Sequence, residues 1–484
     1  MDPDRERIQA DLTGLVEGEV RCDDVFLQLY ASDASIFEIR PLAVVRPKSV
    51  EDVSRVVKYA AEEHLPIHPR GAGSGVAGES LGPGIVIDFS TYMRRILHVD
   101  ETMVRVQPGV VLAQLNRFLL TRGRLFGPDP ATRSITTLGS VLSLDGAGSH
   151  WLKYGSARNK VVSMEVVLAS GEIIEASRHP IPSDDATDLT TREELVRRTA
   201  GLVRREADLI SQHRPRALVN RSGYQLHDIL VDNRLDLAKV IVGSEGTLAL
   251  ITEATVRTDP LPRYRGLALL FFDRLEAAAK AASEARLLDV AACDLMDRRL
   301  LTLARELDHR YDRILPRDAE AVLIIEVQSD AESELRQLLD GAVRRLRFDL
   351  GLAFDSRTTT DRADRDLFWK MARRVVPSLY KIPGPARPIP FVEDIAVPPD
   401  ELAGFLPELQ VILRTHGVTA SFFAHAGHGQ IHLRPFLDLG SDDDVRKMQR
   451  LANDIFHAVI ARGGTISGEH GDGLARSLYN RELF

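Results

Sequence analysis

The sequence predicts an α+β fold with two main domains, and three observations lead to this prediction. Short apolar runs between turn residues outnumber helix-patterned segments from residue 40 to residue 258. A linker with two prolines, RTDPLPRYRG, follows at once. Beyond the linker, apolar strands alternate with amphipathic helices. We therefore expect four parts: a helical lead-in (1–40), a first domain (41–258), a second domain (259–415) and a C-terminal segment (416–484).

Length and composition narrow the function class before any motif is considered. The chain has 484 residues, too many for one compact core, and its net charge of −8 disfavours nucleic acid as a partner. No apolar run approaches the roughly 18 residues of a membrane span, and the acidic N-terminus MDPDRERIQADL is unlike a signal peptide. Cys22 and Cys293 lie far apart, which excludes a zinc knuckle or an iron–sulfur site. We expect a cytoplasmic protein in which histidine and carboxylate side chains hold any metal.

The first domain is predicted as a series of short strands with one well-marked helix. That helix is SVEDVSRVVKYAAEEH, in which Ser49 is a suitable N-cap and Val53, Val56 and Ala60 recur on one face. The expected strands, in chain order, are PLAVVRP, LPIHPR, GIVIDFS, VRVQPGV, the two halves of the hairpin VVSMEVVLASGEII, and LALITEATVR.

The second domain is predicted as a ferredoxin-like antiparallel sheet with its helices on one face. GLALLFFD and AVLIIEVQ have the composition of strands. The span between them, which begins with LEAAAKAASEARLLDV and continues onward, has the period of a helix. A second helix, ESELRQLLDGAVRRLRF, follows. The proline-rich segment 377–398 is expected to be extended or loop, because proline interrupts helices and central strands.

The loop HPRGAGSGVAG contains the pattern G-x-G-x-x-G at Gly73, Gly75 and Gly78. In a Rossmann fold a long helix follows these glycines and places its N-terminus at the pyrophosphate of the dinucleotide. The sequence ESLGPG after Gly78 forbids such a helix. Two interpretations remain: a plain turn between strands, or a nest of backbone N–H groups that holds a pyrophosphate without a helix.

Two further segments favour the nest. The segment 126–155 is rich in serine, threonine and glycine and too poor in large apolar residues to be core. In VGSEGTLALITEA, Glu245 and Gly246 stand at a turn before a strand. Each segment alone is a weak signal, but their combination with the glycine loop indicates an extended ligand that lies against the backbone.

Histidines dominate two motifs near the C-terminus, SFFAHAGHGQIHLRP and ISGEHGDG. A two-residue turn at His428-Gly429 would pair His425 directly with His432, with Cβ atoms about 5 Å apart on one face. Glu469 would then complete a set of two histidines and one carboxylate, which leaves open positions on a catalytic metal ion. The alternative is that these histidines are exposed or make ordinary hydrogen bonds.

The three glycine-containing segments resemble the FAD-binding domain of the vanillyl-alcohol-oxidase/p-cresol-methylhydroxylase (PCMH) superfamily. The chain as a whole resembles the D-2-hydroxyacid dehydrogenase branch, which includes D-lactate, glycolate and D-2-hydroxyglutarate enzymes. This resemblance implies a PCMH-type domain with FAD held non-covalently, because the loop proper contains no histidine and His68 precedes Pro69. The residues that it assigns to FAD are Pro69, Arg70, Gly71, Ala72, Gly73, Ser74, Gly75, Asp129, Gly139, Ser140, Ser143, Gly146, Gly148, Glu245, Gly246 and Ile251.

The resemblance also assigns roles to the histidine motifs. It implies that His425, His432 and Glu469 bind a divalent metal ion, zinc in the first place with iron or manganese as alternatives. His470 matches the catalytic base. The implied reaction is the oxidation of a D-2-hydroxyacid: the metal binds the substrate oxygens, His470 takes the hydroxyl proton, and hydride passes from Cα to flavin N5. His428 has no assigned role and is expected at a turn tip near the mouth of the site.

Three cationic residues are substrate-binding candidates. Arg434 stands where many members of this family have asparagine, and it would fork either to a second substrate carboxylate or to the protein's own acids. A family Trp-x-x-Arg motif is altered here, because Ala372 stands three places after Trp369 and Arg373 is displaced by one. Lys381, in the proline-rich segment, is the third candidate.

The segments FVEDIAVP and SGEHGDGLARS resemble the long members of the family, in which an iron–sulfur domain follows the flavin domain. The sequence contains no cysteine framework for such a domain. Three explanations are open: the gene is split, the sequence is a fragment of a longer flavin/iron–sulfur protein, or the electrons leave through a separate partner. We expect an iron–sulfur protein, a quinone or a cytochrome as the electron acceptor, with association to a membrane only through that acceptor; a homodimer is an open alternative. Two other functions stay open: a non-catalytic flavin subunit of a glycolate-oxidase-like complex, and a transferase like alkyl-glycerone-phosphate synthase.

Overall fold

The computed structural model describes residues 3–484, apart from the side chains of residues 375 and 376. Residues up to 258 form mainly two sheets. The helices of this part are α1 (Pro3–Leu15), α2 (Asp24–Tyr30), α3 (Val50–Glu62), α4 (Leu112–Leu120), α5 (Leu138–Leu144), α6 (Trp151–Tyr154), α7 (Ala157–Lys160), α8 (Thr191–Arg205), α9 (Ala207–Gln212) and α10 (Leu237–Ile241). The strands are β1 (Glu19–Arg21), β2 (Ala43–Arg46), β3 (Ile67–Arg70), β4 (Ile85–Asp88), β5 (Ile96–Val99), β6 (Met103–Val106), β7 (Arg124–Leu125), β8 (Val161–Val167), β9 (Ile173–Ala176), β10 (Arg178–Pro180), β11 (Leu230–Val231), β12 (Arg234–Asp236) and β13 (Leu250–Arg257).

Residues after 258 form one larger, mostly antiparallel sheet with its helices. The short strand β14 (Asp259–Pro260) pairs with β7 outside this sheet. The strands of the large sheet are β15 (Tyr264–Phe272), β16 (Ala292–Asp297), β17 (Ala321–Ser329), β18 (Asp355–Thr359), β19 (Arg387–Pro388), β20 (Ile395–Ala396), β21 (Ala420–His425) and β22 (Gln430–Leu437). The helices are α11 (Leu275–Ala285), α12 (Arg298–Leu307), α13 (Glu332–Val343), α14 (Arg362–Leu379), α15 (Leu402–Thr415), α16 (Asp442–Ala461), α17 (Gly473–Arg476) and α18 (Asn480–Leu483). Within residues 3–484, no helix is both long enough and apolar enough to cross a membrane.

The first sheet, in the order β1-β2-β4-β3, determines where the glycine loop lies. Strands β2 and β3 both run parallel to β4. The chain leaves β3 at Arg70 and re-enters the sheet in β4, and the loop between them contains no helix. This confirms the prediction that the G-x-G-x-x-G pattern is not a Rossmann turn, since the required helix is missing.

Helix α3 begins where the sequence predicts. The Ser49 hydroxyl accepts a hydrogen bond from the backbone N–H of Asp52 at 3.2 Å, which satisfies one of the free amides of the first turn. Val53 and Val56 are fully buried against the first sheet. The apolar face predicted from the sequence is therefore the face that packs against the first sheet.

The second sheet is antiparallel, in the order β5-β6-β13-β8-β9. Strands β8 and β9 form the predicted hairpin, with Gly171 at a positive φ of 79° in its turn. The prediction of an α+β first domain built from short strands is confirmed.

The large sheet has the order β18-β15-β17-β16-β21-β22-β19, and β20 also pairs with β22. Its antiparallel character is as predicted, but strand β16 and helix α12 were predicted as part of one helical span. The sequence of β16, ACDLMD, contains Asp294 and Asp297, which disguise a strand that is buried throughout. Both carboxylates have internal partners, and this permits their burial.

Helices cover both faces of the large sheet, whereas the sequence analysis predicts helices on one face only. Along β15, Ala268 and Leu270 face α11, α13 and α15, while Leu269 and Phe271 face α12 and α14. The run LALLFF is continuously apolar because both of its sides are buried. This pattern is the signal that the one-face prediction overlooked.

The C-terminal hairpin continues the large sheet, because β21 pairs with β16. The predicted segments 259–415 and 416–484 therefore share one sheet. In the proline-rich stretch, α14 runs through Pro377 to Leu379 before the chain becomes extended, so the prediction was wrong for those first residues. The remaining residues of the stretch form loops and the short strands β19 and β20.

Truncation of a core residue of α15 tests how far this helix stabilises the large sheet. Phe405 is fully buried among the helices on one face of the sheet, and Phe405→Ala should lower the free energy of unfolding by about 3–5 kcal/mol. Val411 in the same helix is 51% exposed, and Val411→Ala should change it by less than about 0.5 kcal/mol. Denaturant unfolding measures both. Equal effects of the two changes would contradict this packing.

Candidate active site

A cavity of about 600 Å³ lies between the glycine loop, helix α14 and the hairpin β21–β22. It brings together the separate sequence motifs, which are far apart along the chain. The predicted site residues that line it are Pro69, Arg70, Gly71, Gly73, Ser74, Gly75, Asp129, Gly139, Ser140, Ser143, Gly146, Glu245, Gly246, Ile251, Arg373, His425, His432, Arg434, Glu469 and His470.

Three predicted residues do not line this cavity. Ala72 is exposed at the outer side of the glycine loop, and Lys381 is exposed just after α14, so neither matches its predicted contact. Gly148 lies behind the wall, where its backbone N–H donates a hydrogen bond to Glu469 Oε2 at 2.7 Å. Its role is to support a neighbouring side chain.

Glycine is required at several points of the wall because other backbone or side-chain atoms approach closely. A Cβ on Gly71 would lie 2.3 Å from Ser140 Oγ, and one on Gly246 would lie 2.3 Å from Pro69 Cγ. Gly246 also has a φ of 77°. Glycine at these positions lets the segments of the wall pack closely on one another, and the wall then presents backbone and small side chains to the cavity. The residues present therefore fit a dinucleotide held without a helix.

The Arg70 side chain holds the loop in place from within the protein. Its guanidinium donates to the carbonyl oxygens of Tyr30, at 3.2 Å, and Ser32, at 2.7 Å, and it lies over the Tyr30 ring. A Cβ on Gly73 would lie 2.4 Å from Arg70 Nη2. Arg70 thus shapes the cradle from within and also lines the cavity, so its predicted contact with a ligand stays a prediction.

The hairpin β21–β22 has a different register from the predicted one. His425 lies opposite Gln430, and Phe423 lies opposite His432, because residues 426–429 form a longer turn with Gly429 at a φ of 82°. A shift of two residues keeps each side chain on the same face. The two imidazole rings of His425 and His432 are accordingly diagonal neighbours, with ring centroids 5.0 Å apart.

His425, His432 and Glu469 come together as the sequence analysis predicts. Their possible ligand atoms all lie within 4.8 Å of one another. Glu469 Oε1 is 3.5 Å from Nε2 of each histidine. Asp294 accepts a hydrogen bond from Nδ1 of His425 at 2.8 Å, which orients Nε2 toward Glu469. This carboxylate–histidine arrangement is typical of metal ligands, so the donor set fits a divalent cation.

A second group of possible ligands overlaps the first through His432 and adds Glu393 and His470. Glu393 is fully buried and already interacts with cations, at 3.0 Å from Arg434 Nη2 and 3.7 Å from Arg476 Nη2. Its charge is shared among these partners and His470, which is hydrogen-bonded to it through Nδ1. The first group is therefore the better cation site.

Glu393 and Asp394 also belong to the site, although neither was predicted from the sequence. The buried Asp394 carboxylate accepts hydrogen bonds from the Gln430 side chain at 2.6 Å and from the His470 backbone N–H at 2.7 Å. It thereby joins the hairpin to the loop that carries Glu469. The signal in the sequence was a pair of acids inside an apolar, proline-rich stretch, PIPFVEDIAVP.

Buried charge shifts the pKa values of the cluster strongly. Burial by itself would lower the pKa of His425, but Asp294 and Glu469 raise that pKa well above its ordinary value. Burial likewise favours the uncharged form of Glu469, yet the neighbouring histidines hold its pKa well below the ordinary value. Burial would also lower the pKa of His470, but the neighbouring Glu393 raises that pKa to about 9. These shifts favour the protonated forms of His425 and His470 and the ionised form of Glu469.

His428 lies in the turn of the hairpin, as predicted, but it is buried and does not line the cavity, whereas a position near the mouth of the site was expected. It is 1% exposed, stacks against His425 and contacts Trp151. Its Nε2 lies 3.0 Å from Gln430 Oε1. Burial and the charge of His425 lower the pKa of His428 to about 3. It is a neutral core histidine that supports the ring of His425.

Asp129 and Arg373 belong to a buried network at the opposite wall. Asp129 lies 2.9 Å from Nδ1 of His150, and Arg373 is 3.8 Å from Asp129 and over the Trp369 ring. Trp369 donates to the fully buried Glu326 at 2.7 Å. Burial tends to raise the pKa of Asp129, but His150 outweighs it and lowers that pKa. Sequence reasoning missed His150 and Glu326, which no motif marks.

A glycine substitution tests whether the cradle binds FAD. A Cβ on Gly148 would lie 2.5 Å from the Asp129 backbone, whereas one on Gly123 meets nothing within 4 Å; both residues have positive φ. Gly148→Ala should weaken FAD binding at least about 10-fold, because both the wall at Asp129 and the hydrogen bond from the Gly148 N–H to Glu469 must shift. Gly123→Ala controls for backbone strain. Titration of the apoprotein with FAD measures both. Unchanged FAD affinity in Gly148→Ala would contradict the assignment of this wall.

Two family descriptions match the chain. "FAD binding domain" matches residues 41–177, and "FAD linked oxidases, C-terminal domain" matches residues 261–484. These ranges cover the glycine segments up to Gly148 and the whole large sheet with its histidine hairpin. The prediction of an FAD-binding fold is confirmed.

Individual relatives agree with the family descriptions. The chain is 31% identical to D-2-hydroxyglutarate dehydrogenase of Escherichia coli (strain K12) over 94% of its length, but it spans only 47% of that protein. It is 28% identical to glycolate oxidase subunit GlcD of Bacillus subtilis (strain 168), covering 93% of this chain and 85% of that one. The fold matches p-cresol methylhydroxylase with a TM-score of 0.68 and 14% identity, over 97% of this chain and 90% of that one. The chain thus contains the two domains of FAD-linked oxidases, the FAD-binding domain and the C-terminal domain, and the relatives to which it is similar include D-2-hydroxyglutarate dehydrogenases and a glycolate oxidase subunit.

Proposed function

We propose that this chain is the flavin- and metal-binding part of a dehydrogenase that oxidises a D-2-hydroxyacid to the 2-oxoacid. The observation that carries the proposal is the position of His470 in the same cavity as the glycine cradle and the His425–His432–Glu469 cluster. The names of the relatives support the substrate class. The chain spans about half the length of the D-2-hydroxyglutarate dehydrogenases it matches, so the activity of a complete enzyme is part of the proposal.

The cluster of His425, His432 and Glu469 would hold a divalent cation, zinc in the first place. Such a cation, when bound, lowers the pKa of a substrate hydroxyl. Asp294 orients His425, and the Gly148 N–H orients Glu469, so the protein holds these donors before any ligand arrives. His432 is buried at the bottom of the same face.

His470 is proposed as the group that accepts the hydroxyl proton. Its Nδ1 is bound to Glu393, and its backbone N–H is bound to Asp394. The ring is therefore fixed with Nε2 as the nitrogen that is free for the substrate, on the side of Glu469, 3.9 Å from Oε1. Such a positioned imidazole meets the geometric requirement for a general base, which acts in its neutral form. Because the pKa of His470 is raised to about 9 in the cluster as built, we expect the fraction of the base form, and with it flavin reduction, to increase as the pH rises toward that value.

Conversion of the CH–OH group to C=O removes one proton and one hydride. The hydroxyl proton goes to Nε2 of His470, and the hydrogen on Cα leaves with its electron pair. Bound FAD supplies the acceptor for that hydride. We propose that the electrons then pass to a separate iron–sulfur protein, quinone or cytochrome; the description of one relative as a subunit supports a partner.

Anaerobic mixing tests the proposal. Addition of D-lactate, glycolate, D-2-hydroxyglutarate or D-malate to FAD- and metal-loaded protein should bleach the visible flavin absorbance with at least one acid. His470→Ala should retain FAD yet slow the reduction by at least about 100-fold, because the proton acceptor is removed. His457→Ala, at an exposed position, serves as the matched control. Absence of bleaching with every acid would refute the dehydrogenase and favour a non-catalytic flavin subunit.

The role of Asp294 gives a separate test of the metal site. Asp294→Asn should weaken binding of Zn²⁺ by about 10- to 100-fold, because the carboxylate that orients His425 and raises its basicity is lost. Asp289→Asn, at an exposed residue, should have no effect. Competition for Zn²⁺ against a chromophoric chelator measures the affinity. Equal Zn²⁺ affinity in the two variants would exclude this cluster as the metal site.

A further inference from the structure

Arg434 is a buried cation whose hydrogen-bonding groups are largely unused. The residue is 7% exposed and lines the cavity from strand β22. Its Nε and Nη1 have no hydrogen-bond partner among the residues that the structure describes. Its one close ionic contact there is Nη2 to Glu393 Oε2 at 3.0 Å. Two partners were considered for Arg434 above, a substrate carboxylate and an acid of the protein itself. The structure shows the second, Glu393, and leaves Nε and Nη1 of Arg434 without a partner among the described residues.

Unpaired donors on a buried guanidinium are costly, because they have lost water without gaining a partner. Glu393 relieves this cost only in part, since it also interacts with His470 and Arg476. A second anion against Nε or Nη1 would supply the missing acceptors. Arginine presents its N–H groups in a planar fork, and a carboxylate is a matching acceptor for that fork.

The position of Arg434 indicates which part of the substrate it meets. Arg434 follows His432 by two residues on the same strand, so both side chains project from the same face into the cavity. Arg434 Nη2 and His432 Nδ1 approach the same oxygen of Glu393, at 3.0 and 3.5 Å. Glu393 also holds the proposed base. The guanidinium thus lies beside the groups that act on the hydroxyl carbon.

The other predicted substrate cations are less suited to this role. Arg373 has a side chain that is 31% exposed, and it already interacts with Asp129 and the Trp369 ring. Lys381 is exposed outside the cavity. Of the three candidates, Arg434 is the buried one that lines the cavity and has donors without a partner among the described residues.

We propose that Arg434 is the anchor for the substrate carboxylate that adjoins the hydroxyl carbon. This inference rests on the proposed function for the identity of the substrate. The free guanidinium nitrogens bind one carboxylate oxygen, and this contact orients the hydroxyl toward Nε2 of His470. The site then selects an acid over its neutral amide or ester, since a neutral group leaves the buried donors unmatched.

Binding of a ligand that cannot be oxidised separates this anchor from the reaction. Oxalate serves as the anionic probe and oxamide as the neutral probe, each titrated into FAD- and Zn²⁺-loaded protein and followed by the flavin spectrum and by calorimetry. Arg434→Gln should weaken oxalate binding by about 10- to 100-fold and change oxamide binding by less than about 2-fold. Arg434→Lys keeps the charge beside Glu393 but loses the planar fork of N–H groups. It should bind oxalate more tightly than Arg434→Gln and more weakly than the unmodified protein.

Arg446→Gln, at an exposed arginine, is the matched control and should bind oxalate like the unmodified protein. FAD content and melting temperature verify that each variant is folded; Arg434→Lys covers the case in which Arg434→Gln is unstable. Unchanged oxalate affinity in both Arg434 variants would overturn the proposal, as would a loss of FAD, which would place Arg434 at the cofactor. If oxalate binding depends on Arg434 but no 2-hydroxyacid reduces the flavin, the anchor stands and the dehydrogenase proposal fails.

Discussion

The site depends on one buried carboxylate, that of Asp394, more than on any other single group. It accepts hydrogen bonds from Gln430 of the hairpin, from the Ser467 hydroxyl, and from the backbone of Glu469 and His470. A fully buried charge is tolerated only where such donors replace water. The result is that two chain segments with the metal and base residues are held at fixed distances. Asp394 itself adopts a φ of 84°, a costly conformation that the surrounding bonds compensate.

Glu393, the neighbouring residue, distributes charge within this framework. Its carboxylate interacts with His432, His470 and Arg434, so a metal-ligand candidate, a base candidate and a substrate-anchor candidate share one acid. The carboxylates of Glu393 and Asp394 both contact this cluster, and Asp394 has a positive φ. The short stretch just before β20, within the proline-rich segment, thereby organises the polar half of the cavity.

The apolar framework makes this concentration of charge possible. The large sheet is covered by helices on both faces, which excludes water from β16, β21 and β22. In that environment Asp294, Glu326 and Glu393 are each fully buried and each paired with a cation or a histidine. The glycine-rich wall supplies the other half of the cavity, with little side-chain bulk and with hydroxyl groups at Ser140 and Ser143. A cavity with one polar half and one glycine-rich half suits a cofactor that has a long, polar phosphate portion and a flat ring.

The sequence by itself determined the fold class, the glycine wall and the residue types of the cation cluster. These follow from local rules: a helix cannot contain ESLGPG, strands alternate or run apolar, and His425 and His432 stay on one face under any shift of two residues. Only the tertiary structure decided the hairpin register, the burial of His428, the exposure of Lys381 and the participation of Glu393, Asp394 and Asp294. The physical reason is that these outcomes depend on which distant backbone and side-chain groups replace water around a buried polar atom, and spacing along the chain does not encode those contacts.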